Sequence, residues 1–130
     1  MKLYLSSEDS KHVYPDNTPS NFRVQLPQHL HLGKGNWQCG ILNCILPTKP
    51  SAPMYLTCDI IEPSILGDRY QPVLTILTSK AKEFLTPDYT NVKVTHISTI
   101  QLKLINRLGV PNPIRKGETI VVLKLQHDIS

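Results

Sequence analysis

Alternation with a period of two constrains this chain more than any other feature. In the stretch Met54 to Asp68, MYLTCDIIEPSILGD, residues Met54, Leu56, Cys58 and Ile60 point one way while Tyr55, Thr57 and Asp59 point the other. That spacing fits a half-buried strand and not a helix. Glu62-Pro63 then stops the strand, because proline brings no amide hydrogen to a ladder, and Leu66-Gly67-Asp68 supplies turn chemistry. A further strand is predicted at Tyr70 to Thr78.

The same period recurs along the chain. Leu3 and Leu5 alternate with Lys2 and Tyr4 in a short first strand, read as an edge or a swapped arm. Ser7 to Ser20 is polar and carries Tyr14-Pro15-Asp16-Asn17 and Thr18-Pro19, so it reads as a structured loop. Phe22, Val24 and Leu26 face inward up to Pro27, which is expected to end that strand, and Leu30 and Leu32 continue a brief extended segment. Gly33-Lys34-Gly35-Asn36 reads as a hairpin-like turn, without the GxxxxGK[ST] pattern of a phosphate loop.

Trp37 to Leu46 is the longest apolar run, and its broken alternation predicts a strand covered on both faces or a bulge near Asn43. Trp37, at its head, reads as a core anchor. Pro47, Pro50 and Pro53 form a stiff connection into the Met54 strand. Beyond it, Ser79 to Asp88 reads as a loop, Val92 and Val94 begin a strand, and Ile100, Leu102 and Leu104 oppose Thr99, Gln101 and Lys103 in another. Asn106 to Gly117 is turn and loop, and Ile120 to Gln126 closes the chain with Val121, Leu123 and Leu125 inward. About eight short strands separated by proline and glycine loops predict an all-β fold, a single antiparallel jelly-roll sandwich over residues 1–130 with little helix. An immunoglobulin-like sandwich is the competing architecture, but it would want seven strands and, in antibody-type members, a Cys…Trp…Cys order absent here.

With 130 residues the chain buries about two thirds of its unfolded surface, enough for one domain without metal or disulfide staples. No apolar run approaches the ~18 residues of a membrane-spanning helix. No secretory h-region follows Met1-Lys2. Cys39, Cys44 and Cys58 lack CxxC spacing and read as small buried hydrophobes rather than a disulfide or zinc set. The net charge of +4 is spread out, densest at Lys80-Ala81-Lys82 and Arg115-Lys116, and allows no more than weak contact with nucleic acid or an acidic partner.

Nothing in the sequence assembles a catalyst, and no cofactor is expected. His29 and His31 share a strand face but lack a third ligand nearby, so they read as exposed polar residues. Asp59 and Glu62 are the two carboxylates that a general acid/base pair could use; capping a strand end through turn amides is the simpler role. The rival functional class is a small sandwich module that binds glycan or peptide through its loops.

Four stretches in order carry a resemblance: NTPSNFRVQLP from Asn17, GNWQCGILNCILP from Gly35, CDIIEPSILGDRYQPVL from Cys58, and STIQLKLINRLGVPNPIRKGETIVVLKL from Ser98. Together they resemble the penton-type minor capsid protein of Polinton (Maverick) elements and the related adintovirus-like double-stranded DNA viruses. The matching positions are Asn17, Asn21, Phe22, Trp37, the run Asp59 to Pro63 with Glu62, then Gly67, Asp68, Gly109, Pro111, Gly117 and Leu123. The resemblance implies a non-enzymatic virion protein, assembled inside the host cell. As implied, it forms pentamers at the five-fold vertices of an icosahedral capsid, beside a major capsid protein with a double jelly roll. Members of that family usually carry a long insertion between the Trp strand and the Asp-Ile-Ile-Glu strand; here only Pro47 to Pro53 intervenes, a departure from the family's pattern, so the resemblance does not carry a projecting or receptor-facing subdomain over to this chain.

Overall fold

The computed structural model describes residues 1–128 of the chain. Eleven strands follow in order: β1 (Lys2–Ser6), β2 (Asn21–His31), β3 (Asn36–Ile45), β4 (Met54–Cys58), β5 (Ser64–Leu66), β6 (Arg69–Gln71), β7 (Val73–Leu77), β8 (Ala81–Glu83), β9 (Thr90–Asn91), β10 (His96–Ile105) and β11 (Ile120–Asp128). The protein is all-β, as the alternation predicts. One sheet has the order β1-β11-β3-β8, with β9 also on β3; the other runs β2-β10-β4-β7; β5 and β6 make a separate hairpin. Every strand pairing is antiparallel.

The two sheets form a sandwich because each is apolar on one face. Leu5, Cys39, Ile41, Cys44, Val121, Leu123 and Leu125 from one meet Phe22, Val24, Met54, Leu56, Cys58, Leu77, Ile97, Ile100, Leu102 and Leu104 from the other in one contiguous core. Each fully buried Leu, Ile or Phe there contributes about 1.5–3 kcal/mol. Ion pairs such as Lys11–Glu8 at 3.0 Å and Arg69–Asp68 at 3.5 Å are exposed and worth about 0–1 kcal/mol each, so packing dominates.

Bulges explain where simple alternation fails. In β3, Val122 pairs with Asn43 but Leu123 pairs with Ile41, so Leu42 is an extra residue. The inward set therefore changes parity from Cys39 and Ile41 to Cys44 and Leu46. This is the bulge expected near Asn43.

Several expectations need correction. Pro27 does not end its strand: β2 runs on to His31, with its register against β10 broken between the pairs Thr99–Gln25 and Ile97–Leu30. The proline is tolerated because β2 is an edge strand, where a missing amide need not interrupt a ladder. Tyr70 to Thr78 is two strands, divided at Pro72 for the same chemical reason. The turn Leu66-Gly67-Asp68-Arg69 closes the β5–β6 hairpin with Gly67 at φ +66°, the left-handed value that a type II′ turn demands of its first central residue.

Gly33 to Asn36 joins β2 in one sheet to β3 in the other, so it is an arch between layers and not a hairpin. Val92 lies outside the named strands: it forms an isolated bridge with Ile61 and donates its N–H to the Trp37 carbonyl at 2.8 Å, next to the two-residue β9. The Ser79 to Asp88 segment contains β8, which pairs with the end of β3. The strand around Ile100 begins earlier, at His96.

Candidate functional site

The first cluster of motif residues gathers on Gln101, in the middle of β10. Gln101 donates its backbone N–H to Asp59 Oδ1 at 2.9 Å, and its side-chain amide donates to Asn21 Oδ1 at 2.9 Å. Asp59 returns a backbone N–H to the Gln101 carbonyl at 3.2 Å, and Arg23 Nη2 reaches Gln101 Oε1 at 3.4 Å. Asn17 stands beside them. Its Nδ2 donates to the Arg23 carbonyl at 2.9 Å and its Oδ1 accepts the Arg23 N–H at 3.0 Å, so one side chain occupies the place of a neighbouring strand. Gln101 is the residue that sequence reasoning passed over. Its outward position in the alternation was the only available signal.

Asp59 and Glu62 do not come together as an acid/base pair. Asp59 lines a depression with Thr57, Gln71 and Lys103, whereas Glu62 lines a different one with Trp37, Asn91 and Lys93. Although Asp59 is solvent-exposed as a residue, partial desolvation pushes its carboxyl pKa upward, opposed by the Gln101 amide and by Arg23 and Lys93. The amide that Asp59 Oδ1 accepts belongs to the middle of β10 and not to a turn, so it differs from the turn-amide cap expected of it.

The second cluster holds Gly67, Asp68, Gly109 and Pro111. The Arg69 guanidinium donates to the Leu108 carbonyl, tying the β5–β6 hairpin to the loop after β10. Gly109, at φ +81°, lies so close that a side chain there would meet Arg69 Nη1 at 2.9 Å. Pro111 bridges back to Ile105. Ile105 and Thr57 are consequently buried, at 3% and 5% exposure. Around this cap Ile65, Tyr70, Leu108 and Val110 stand out at 72%, 72%, 66% and 53% exposure. Ile65 and Tyr70 are direct cross-strand partners, and Ile76 shares a depression with Ile65, Tyr55 and Arg107. The sequence reading assigned this hairpin to a turn and missed it.

The remaining motif residues are structural or scattered. Phe22 and Leu123 are core. Trp37 is half-buried against that core and stacks on His127 at 5.2 Å. Pro63 is an exposed residue just before β5. Gly117, at φ +101°, presses on Pro47, leaving no room for a side chain.

His31 pairs with His96 across the β2–β10 ladder, ring centroids 4.1 Å apart, and His29 is exposed. Among the described residues no three His, Cys, Asp or Glu side chains are placed to hold a metal ion. The three cysteines are free and buried; burial pushes the thiols of Cys39 and Cys44 up to about 12 and that of Cys58 well above its ordinary value. Among the described residues no helix is long and apolar enough to cross a membrane.

The loops Ser7 to Ser20, Ser79 to Asp88 and Asn106 to Gly117 each present an apolar side chain: Val13 in the first, Leu85 in the second at 88% exposure, Leu108 and Val110 in the third. Comparison with protein-family models and with curated proteins found no match.

Proposed function

We propose that this chain is a non-enzymatic structural subunit, a penton-type minor capsid protein that closes into pentamers at the five-fold vertices of an icosahedral virion. The observation that carries the reading is the exposed apolar cap of Ile65, Tyr70, Leu108 and Val110, tied together by Arg69 and built where the resemblance puts its Gly-Asp and Gly-x-Pro motifs. Such a surface suits a heterologous contact, in which one patch meets a different patch on the next copy and the rotation closes a ring.

The winding of the sandwich supports the jelly-roll part of the proposal. Leaving aside the β5–β6 hairpin and counting β8 and β9 as one, eight strands remain; the chain changes sheet at each step except from β4 to β7, which pair as neighbours, and the two sheets have the orders β1-β11-β3-β8 and β2-β10-β4-β7. A long antiparallel ribbon wrapped around a barrel produces those two orders. A double-jelly-roll major capsid protein is the proposed neighbour, and the mild charge of +4 suits weak contact with packaged nucleic acid.

Native mass measurement or sedimentation of the purified chain tests the ring. A five-copy species that Tyr70→Asp and Leu108→Asp disperse is expected. A chain that stays no larger than a dimer at high concentration overturns it, and saturable glycan binding by a monomer would favour a binding module instead.

A further inference from the structure

An open stretch of backbone survives at β1. Met1 and Leu125 exchange both backbone hydrogen bonds, at 2.9 and 2.8 Å, and Ser7 donates to the Thr119 carbonyl at 3.0 Å. In an antiparallel ladder such bonded pairs recur every second residue, so Leu3 and Leu5 are bonded to β11 while Lys2, Tyr4 and Ser6 turn their N–H and C=O groups away from it. The Ser6 N–H is taken by Asp9 Oδ2 at 2.9 Å, which verifies the direction. Among the described residues, nothing pairs with the outward groups of Lys2 and Tyr4. Beside them lies a groove of about 690 Å³ between β1 and β2, lined by Leu3, Val24, Leu26, Pro27 and others.

We infer that this edge pairs with the same edge of a second copy, antiparallel and about a two-fold axis through Leu3. The register follows from which groups are free. Lys2 opposite Lys2 would set like charges together, and Tyr4 opposite Tyr4 would require Ser6, whose amide is occupied. Pairing Lys2 with Tyr4 of the other copy uses both open residues and forms four hydrogen bonds. It also sets an ammonium beside an exposed phenol ring. That is chemically apt, since within its own sheet Lys2 already faces Lys124. Leu3 then meets Leu3 of the other copy on the inner face, over the groove.

This contact is isologous and short, so it is weak and appears only at high protein concentration. It does not depend on the capsid reading: a five-fold ring formed through the β5–β6 cap and a two-fold pair formed through β1 are lost by different substitutions.

The test uses the full chain. Sedimentation over a concentration series of the chain carrying Tyr70→Asp and Leu108→Asp, in which the five-fold ring is dispersed, is expected to show a monomer–dimer equilibrium that adding Tyr4→Pro abolishes without lowering the melting temperature, because proline removes only an outward amide on an edge strand. Oxidation of Leu3→Cys is expected to give a covalent dimer. Opposed non-bonded residues lie about 4.5 Å apart at Cα, within disulfide reach. Lys2→Cys and Tyr4→Cys face each other's position rather than their own, about 8 Å from their own copy, and are expected not to cross-link. Dimerisation of the ring-dispersed chain carrying Tyr4→Pro at the same concentration, a ring-dispersed chain with intact β1 that never dimerises, or equal cross-linking of Tyr4→Cys and Leu3→Cys would overturn the inference.

Discussion

Strands β1 and β2 end different sheets and flank the same groove, yet the chain treats their edges differently. The β2 edge is closed by side chains. Asn17 takes both backbone groups of Arg23, Ser10 Oγ accepts the Gln25 N–H at 2.9 Å, and Pro27 has no N–H to offer. On β1 only Ser6 is covered, its N–H by Asp9 Oδ2 at 2.9 Å and its carbonyl by the Asp9 N–H at 3.1 Å, leaving Lys2 and Tyr4 open. A bare edge is a template for another strand. The loop Ser7 to Ser20 is therefore best understood as the cover for one edge, stitched down by buried Ser7, Ser10 and Thr119. Thr119 Oγ1 donates to the Pro19 carbonyl at 2.6 Å, and its N–H donates to Ser7 Oγ at 3.0 Å.

The largest expected effects come from the anchors under each edge. Phe22→Ala beneath β2 should cost about 3–5 kcal/mol in urea unfolding and Leu5→Ala beneath β1 about 2–5 kcal/mol. Should Leu5→Ala prove the costlier, β1 would be the more firmly held edge and the contrast would reverse. Asn17→Ala should cost about 1–2 kcal/mol, since two hydrogen bonds go and the Arg23 groups are left open to water. Amide exchange at Arg23 should quicken, and the newly opened edge should raise self-association; unchanged exchange there would show that Asn17 is not the cover.

The smallest effect concerns Asp59, at the far side of the same network. Its folded pKa lies above the ordinary 3.8, so the native state binds the proton more tightly and stability falls as pH rises from there through the folded value. Asp59→Asn, which keeps an acceptor for the Gln101 N–H, should therefore gain stability at pH 7, with the gain shrinking towards pH 3. Denaturant midpoints across that range check it, and a loss at pH 7 would mean that the charge-assisted bond outweighs desolvation.

Much of this was legible before any coordinates. The strands at Lys2, Met54 and Ile120, the inward faces of most strands, the bulge beside Asn43 and the burial of all three cysteines follow from local alternation and residue size. The errors share one cause. Pro27 and Pro72 look identical in sequence, but whether a proline ends a strand depends on which side of the sheet its missing amide faces. The short strands β8 and β9 have no pattern of their own and exist because β3 offers them an edge. The apolar cap was invisible for a similar reason: Ile65 and Leu108 are 43 positions apart, and contacts such as the bond from Arg69 bring their segments together.

The sequence by itself determined that this protein is built of amphipathic strands, because a period of two is written residue by residue and needs no partner to be read. Tertiary structure alone decided which strands pair, which edges are covered and where Asn17, Asn21 and Asp59 meet. Hydrogen bonds in a sheet join residues distant in the chain, and an edge is defined by the neighbour it lacks.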